Sequence, residues 1–271
     1  MTDVSELPEV GPWAEDKHAR VRAYVDLAAK TVGKNYVGPG KAGFCYIDPF
    51  CSAGRARVKG TDRVIDGSPL VAADAASRAG APFTCMYIAD IENHYVEQCA
   101  ARLRERGGQV RTYVGPASIT SIEIARDLPK HGLHFAFLDP FNLKALPFEV
   151  IRHLAAFKRM DVLVHFSAMD LQRNFDEFLR IDESALDAFA PDWRSKVPVQ
   201  MGKREQRRNA REHWEALMAD VGLPTAGRIE LIRGTKNQPL YWLIFAAKSD
   251  LARKFWDVIL QASTPQRGFN F

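Results

Sequence analysis

Phe44-Cys45-Tyr46-Ile47-Asp48-Pro49-Phe50-Cys51-Ser52-Ala53-Gly54 is an apolar, aromatic run that ends in an acid and passes into a turn of small residues. Glycines at 38, 40 and 43 break the chain just before it, and a short apolar run bounded in this way reads as a buried strand of a parallel sheet. Asp48 then stands at the carboxyl end of that strand, where ligands settle in open α/β sheets. The small side chains that follow let backbone amides come close to a ligand. The turn lacks the second and third glycines of G-x-G-x-x-G, and no Lys-Ser or Lys-Thr follows, so a dinucleotide fingerprint and a P-loop are both disfavoured.

Strand and helix signals alternate outward from this segment. Upstream, Asp16 to Lys30 has helical periodicity through Val21, Tyr24, Val25 and Ala28, and the residues before Pro12 read as a loose tail. Downstream, Gly67-Ser68-Pro69-Leu70 offers a serine N-cap with proline at the first helical position. Phe83 to Ala89, Gln109 to Val114, Leu133 to Leu138 and Asp161 to Phe166 read as further strands, separated by helices His94 to Arg106, Ile119 to Leu128 and Phe148 to Phe157. Residues 168–220 interrupt the rhythm, being charged and helical, and are expected to form an insertion or cap between strands five and six of one domain spanning 1–271. Ile229 to Arg233 and Leu240 to Ala247 lie too close together for a crossover and predict an antiparallel hairpin, followed by a helix from Asp250 to Gln261. The expected fold is α/β, a doubly wound seven-stranded Rossmann-like sheet with its last strand antiparallel, which is the pattern of the class I methyltransferases.

Composition narrows the function classes. With 271 residues, 46% apolar and 26% charged, the chain is long enough for a sizeable core and is neither fibrous nor disordered in character. Cys45, Cys51, Cys85 and Cys99 are irregularly spaced, with no CxxC or histidine pair to suggest a metal site, and are expected to be reduced thiols. The opening MTDVSELPEV has no signal-peptide character and no stretch reaches the roughly 18 apolar residues of a membrane span, so a cytoplasmic location is expected. The net charge of +4 is mild, but Lys203, Arg204, Arg207, Arg208 and Arg211 crowd into nine positions. That run is either a solvated helix face or a contact for nucleic acid.

Three acids at strand ends carry the candidate chemistry. Asp48 heads the turn in which Phe50, Ser52, Ala53 and Gly54 are expected to line a cofactor. Asp90 follows the second strand, where a carboxylate can accept hydrogen bonds from both hydroxyls of a ribose, with Glu92 nearby. Asp139-Pro140-Phe141-Asn142 closes the fourth strand; a carboxylate and a proline carbonyl facing one cleft can orient an amine for in-line attack on a methyl group, covered by the aromatic ring. His165, at the end of the fifth strand, is a weaker candidate for a base.

Tyr46-Ile47-Asp48-Pro49-Phe50 with Ala53-Gly54-Arg55, Gly67-Ser68-Pro69-Leu70, Leu138-Asp139-Pro140-Phe141-Asn142, the stretch 161–166 followed by Asp170 and Arg173, and Tyr241-Trp242-Leu243-Ile244-Phe245 together resemble the three-Cys-motif partner proteins, encoded beside a radical-type protein bearing three cysteines. The resemblance implies a methyltransferase-like fold. Asp48, Asp90 and Asp139 on successive strand ends lead to the expectation of an enzyme that moves the methyl of S-adenosyl-L-methionine onto a nitrogen of a small molecule, nucleotide or nucleic acid. The runner-up, on the family's gene neighbourhood and the 203–211 basic run, is a non-catalytic partner of the three-cysteine radical-type protein or a nucleic-acid-binding module. Two departures stand out: Phe141 replaces the second proline of the Asp-Pro-Pro-aromatic pattern of amino-methyltransferases, and Pro116 stands where many relatives carry an acid against adenine, leaving Ser118 and backbone for that role.

Overall fold

The computed structural model describes residues 7–263, Val199 excepted. In chain order the elements are β1 (Glu9–Val10), α1 (Ala14–Thr31), β2 (Phe44–Asp48), β3 (Arg55–Val58), β4 (Val64–Asp66), α2 (Ser68–Arg78), β5 (Cys85–Asp90), α3 (Asn93–Glu105), β6 (Val110–Val114), α4 (Ala117–Asp127) and β7 (Leu133–Leu138). There follow α5 (Phe148–Ala155), β8 (Met160–Ser167), α6 (Ala168–Arg180), α7 (Ala185–Phe189), α8 (Trp193–Lys196), α9 (Lys203–Asp220), β9 (Glu230–Arg233), β10 (Pro239–Ala247) and α10 (Asp250–Ser263).

The main sheet has seven strands in the order β6-β5-β2-β7-β8-β10-β9. The first five are parallel, and β10 is antiparallel to both β8 and β9. The chain builds outward from β2 through β5 to β6, then crosses back to β7 on the other side of β2. The strand order therefore reverses between β2 and β7, and that reversal opens a crevice beyond their carboxyl ends. The close pair at the end of the chain forms a hairpin, as its short connection requires, and its second strand is inserted between β8 and β9.

Side chains alternate between two cores. Tyr46, Phe135, Phe137, Leu163 and Phe245 face one layer, with residues of α1, α2, α3 and α10; Ile47, Ala136, Leu138, Val164 and Phe166 face the other, with residues of α4 to α7 and α9. Because both faces of the central strands are covered, β2 and β7 are buried at every position, which explains their unbroken apolar runs. Tyr24 of α1 locks into the first layer between the rings of Phe135 and Phe245, at centroid distances of 4.8 and 4.6 Å.

Two features depart from the sequence reading. Residues 9–10 are not a loose tail: they pair in parallel with Arg57 and Val58, and with β4 make a separate three-stranded sheet, order β1-β3-β4. Ion pairs of Arg57 with Glu9 and of Arg55 with Asp66 reinforce it. Ser68 is not the cap of α2 but its first residue, with Gly67 at the cap position; its hydroxyl is directed to Asp48 instead.

Residues 168–220 contain four helices, and Trp214 of α9 seats them on the sheet. Its ring stacks on Phe189 at 5.4 Å and meets the edge of Phe166 of β8 at 5.5 Å. The indole nitrogen is buried without a hydrogen-bond partner among the described residues, so the ring contributes through packing alone. Trp214→Ala should therefore lower unfolding stability by about 3–5 kcal/mol and Trp214→Phe by much less, read as shifts in the urea midpoint.

Candidate active site

Asp48 is wholly buried and takes three hydrogen bonds: from the Tyr46 hydroxyl (2.9 Å) and the Ser68 hydroxyl (2.8 Å) on Oδ2, and from the Phe50 amide (3.0 Å) on Oδ1. One carboxyl thus ties the end of β2 to the following turn and to the start of α2. Burial pushes its pKa up to about 7 against these donors, with the negative charge of Asp139 adding to the rise. The side chain does not reach solvent; of the turn that it braces, only Phe50 and Ser52 are partly exposed.

That turn is tightly enclosed. Ser52 and Gly54 both have left-handed backbone, at φ 49 and 74°. A Cβ on Gly54 would stand 3.0 Å from Cys99 Sγ and 3.2 Å from Cys99 Cα, so only glycine lets α3 come this close. The buried Arg102 guanidinium donates to the Ala53 carbonyl, and the Cys51 amide donates to the Ala89 carbonyl at 2.9 Å. The backbone of β5 thus holds the turn directly, and Arg102 of α3 holds it through a side chain that sequence reading did not single out.

Asp90 closes the link. Its carboxylate accepts from the Ser52 amide at 2.9 Å and from the Glu92 amide at 3.2 Å, joining the β2 turn to the end of β5. A carboxylate offers about four lone-pair sites, so two remain after these bonds. Glu92 is exposed and Ser118 half-buried at the start of α4. Their sequence neighbours Ile91 and Ile119 are 67% and 53% exposed, and Phe141, after β7, is 89% exposed. Phe50 is partly buried beside the same turn. Neither isoleucine had a sequence signal distinguishing it from core; only its exposure at a strand end does so.

Asp139, at the end of β7, is not a free carboxylate. The Lys17 ammonium of α1 donates to Oδ2, and His165 Nδ1 lies 2.6 Å from Oδ1. Burial alone would raise its pKa, but Lys17 and His165 outweigh that and hold it well below the usual carboxylate range. Burial pushes the His165 imidazole down, and Lys17 adds to this while Asp139 opposes it. The pair is therefore a neutral histidine donating Nδ1–H to an ionised aspartate, with the lone pair on Nε2. The His165 ring lies 4.1 Å from that of Tyr241 on β10, and the Tyr241 hydroxyl donates to the Trp13 carbonyl at 3.0 Å, fastening the start of α1 over the site. Arg20 does the same about two turns on, bidentate to Glu230 of β9 at 2.7 and 2.5 Å. Pro140 is buried, and Asn142 Oδ1 accepts from the Ala145 amide at 3.0 Å, capping the short helical turn 143–145.

The acids at 48, 90 and 139 thus lie at the carboxyl ends of β2, β5 and β7, on one edge of the sheet and flanking the crevice. In the basic run of α9, Lys203 pairs with Asp176, Arg208 with Glu205 and Glu212, and Arg211 with Glu215, while Arg204 and Arg207 have no ion pair among the described residues. All four cysteines are free thiols. No cluster of three His, Cys, Asp or Glu suited to a metal occurs among the described residues, and no helix there is long and apolar enough to cross a membrane.

No family model matches the chain, and no curated protein does. Solved structures do align with it at low identity. A cofactor-bound protein from MTB is 14% identical, covering 92% of this chain and 86% of its own, with a TM-score of 0.49. An O-methyltransferase from Bacillus cereus, in complex with SAH, is 11% identical over 83% and 79%, with a TM-score of 0.46. An rRNA methylase from Streptococcus thermophilus is 7% identical over 82% and 95%, with a TM-score of 0.42. Likeness at this level says nothing of chemistry, and the fold rests on the strand order itself.

Asp48 supplies a test of the site's electrostatics. Its folded pKa of about 7 lies above the ordinary 3.8, so the folded state holds an extra proton between those values and stability falls as pH rises through that window. Asp48→Asn removes this ionisation. The variant should match the wild type near pH 4 and exceed it by on the order of 2–4 kcal/mol above pH 8, measured by urea denaturation across pH; parallel curves would refute a buried, proton-holding Asp48.

Proposed function

We propose that the chain is an S-adenosylmethionine-dependent methyltransferase acting on a nitrogen of a small molecule or nucleotide. The observation that carries this reading is the Asp90 carboxylate, held by two backbone amides with lone pairs to spare, beside a braced small-residue turn at the point where the strand order reverses. Two ribose hydroxyls match those lone pairs, and the exposed Ile91 and Ile119 side chains offer apolar cover for a purine. Glu92 and Ser118 stand at the rim for polar edges of the same ligand.

S-adenosylmethionine would supply an electrophilic methyl group. The turn from Phe50 to Gly54 would receive its amino-acid portion through backbone groups, with Asp48 acting through the turn it braces. Asp139 has a cationic nitrogen on Oδ2 already, that of Lys17, and we take this as marking where an acceptor amine is held once Lys17 yields. The Pro140 carbonyl would accept a second N–H from that amine, Phe141 would fold over it, and His165 Nε2 would receive the proton that it sheds. The helices of residues 168–220, with Asp170 of α6 bonded at 2.7 Å to the Leu143 amide, would wall the acceptor side. Ion pairing of Lys203, Arg208 and Arg211 leaves only Arg204 and Arg207 of the α9 run unpaired among the described residues, which favours a small acceptor over a contact with several phosphates.

Calorimetric titration with S-adenosylmethionine and S-adenosylhomocysteine should give saturable binding. Asp90→Ala and the exposed-site variant Ile91→Asp should each weaken it at least about tenfold, or 1.4 kcal/mol, with circular dichroism unchanged. Absence of heat at millimolar ligand would end the reading.

A further inference from the structure

A cavity of about 530 Å³ opens at the opposite edge of the sheet, among the amino ends of β7 and β8, the end of β10, the C-terminal half of α1 and the first turns of α10. It is separated from Asp139 by the length of β7, about 20 Å at the usual rise per residue, and it shares no lining residue with the candidate active site. Its volume falls in the range of small-molecule sites, roughly 300–1,000 Å³.

The lining has two chemical parts. Tyr36 and Phe255 provide half-buried aromatic rings, backed by Val32 and Met160. Three cations border them: Lys158, Arg159 and Lys248. Two of these are fixed in place, Arg159 lying over the Tyr36 ring at 5.7 Å and donating to the His131 carbonyl at 3.2 Å, and the Lys248 ammonium donating to the Ala155 carbonyl at 2.6 Å. Against them stands a single carboxyl, Asp161, which accepts from the buried Tyr24 hydroxyl at 2.6 Å and lines the floor. Burial pushes Asp161 up to about 6, while the Tyr24 hydrogen bond opposes the rise, and three cations still outnumber this one carboxylate.

We propose that this cavity is a second ligand site, for a small organic anion with a flat aromatic body, its charge set against Arg159, Lys158 and Lys248 and its ring between Tyr36 and Phe255. Cations beside aromatic walls recognise such a ligand through both charge and stacking. Nothing in the proposed methyl transfer requires it, so the site stands or falls independently of that activity.

Two fluorescent probes with one carbon framework test the charge requirement: 8-anilinonaphthalene-1-sulfonate and the neutral N-phenyl-1-naphthylamine. On the full chain the sulfonate should bind saturably at one site and at least tenfold more tightly than the neutral probe. Arg159→Glu, on the surface, should weaken the sulfonate about tenfold and leave the neutral probe unchanged. Ala252→Phe should fill the cavity and abolish both. S-adenosylhomocysteine should displace neither. Equal binding of the two probes, displacement by S-adenosylhomocysteine, or sulfonate binding indifferent to Arg159→Glu would each overturn the proposal; the surface variant keeps the test decisive even where Ala252→Phe fails to fold.

Discussion

The edge of the sheet that faces the crevice is organised around a carboxyl group taken out of water. Burying a lone carboxylate is costly unless its oxygens are satisfied, and Asp48 meets that requirement with three donors from three places in the chain: its own strand, the turn after it and the start of α2. Satisfying one acid therefore fixes the relative position of a strand end, a turn and a helix. The turn is then held from its other side by Asp90 and by Arg102. A loop fastened by side chains and backbone at several points presents its amides in one arrangement, and preorganisation of this kind favours binding because little ordering remains to be done.

Asp139 is satisfied differently. Asp139 lies in a nearly dry cluster with Lys17 and His165, in which one positive charge meets one negative charge and the imidazole stays neutral. Removing one partner of such a cluster is far costlier than its net contribution suggests, because an unpaired buried charge is left behind. The same cluster couples α1 to β7 and β8, while Tyr241 and Glu230 couple α1 to the terminal hairpin. The helix that precedes the sheet in sequence is thereby part of the wall over its crevice.

Much of this was legible from residue order. The central strands are covered on both faces, so their runs are apolar without interruption, and each is followed at once by an acid; Asp48, Asp90 and Asp139 could be placed at strand ends for that reason. The small sheet was not legible, because Arg55-Ala56-Arg57-Val58 and Val64-Ile65-Asp66 are short and half polar, and only Ala56 and Val58 among them are buried. Nor was the engagement of Asp139 by Lys17, since 122 residues separate them and a lysine on an amphipathic helix reads as solvated. Ser68 was misplaced by one position because a serine before proline has the form of a cap, whereas a buried acid 20 residues upstream competes for its hydroxyl. The resemblance to three-Cys-motif partner proteins found no support from any family model, although the sheet it implies is the one observed.

The pairing of residues 9–10 with 57–58, and of Trp13 with Tyr241, also bears on how the molecule assembles. Each joins segments far apart along the polypeptide, the second across 228 positions. Contacts so distant require large loops to close, which slows folding. During synthesis α1 emerges long before β10, whose Tyr241 fastens its start. The wall over the crevice is thus completed only when the hairpin docks, and a nascent chain lacking β10 carries an edge that is formed but open.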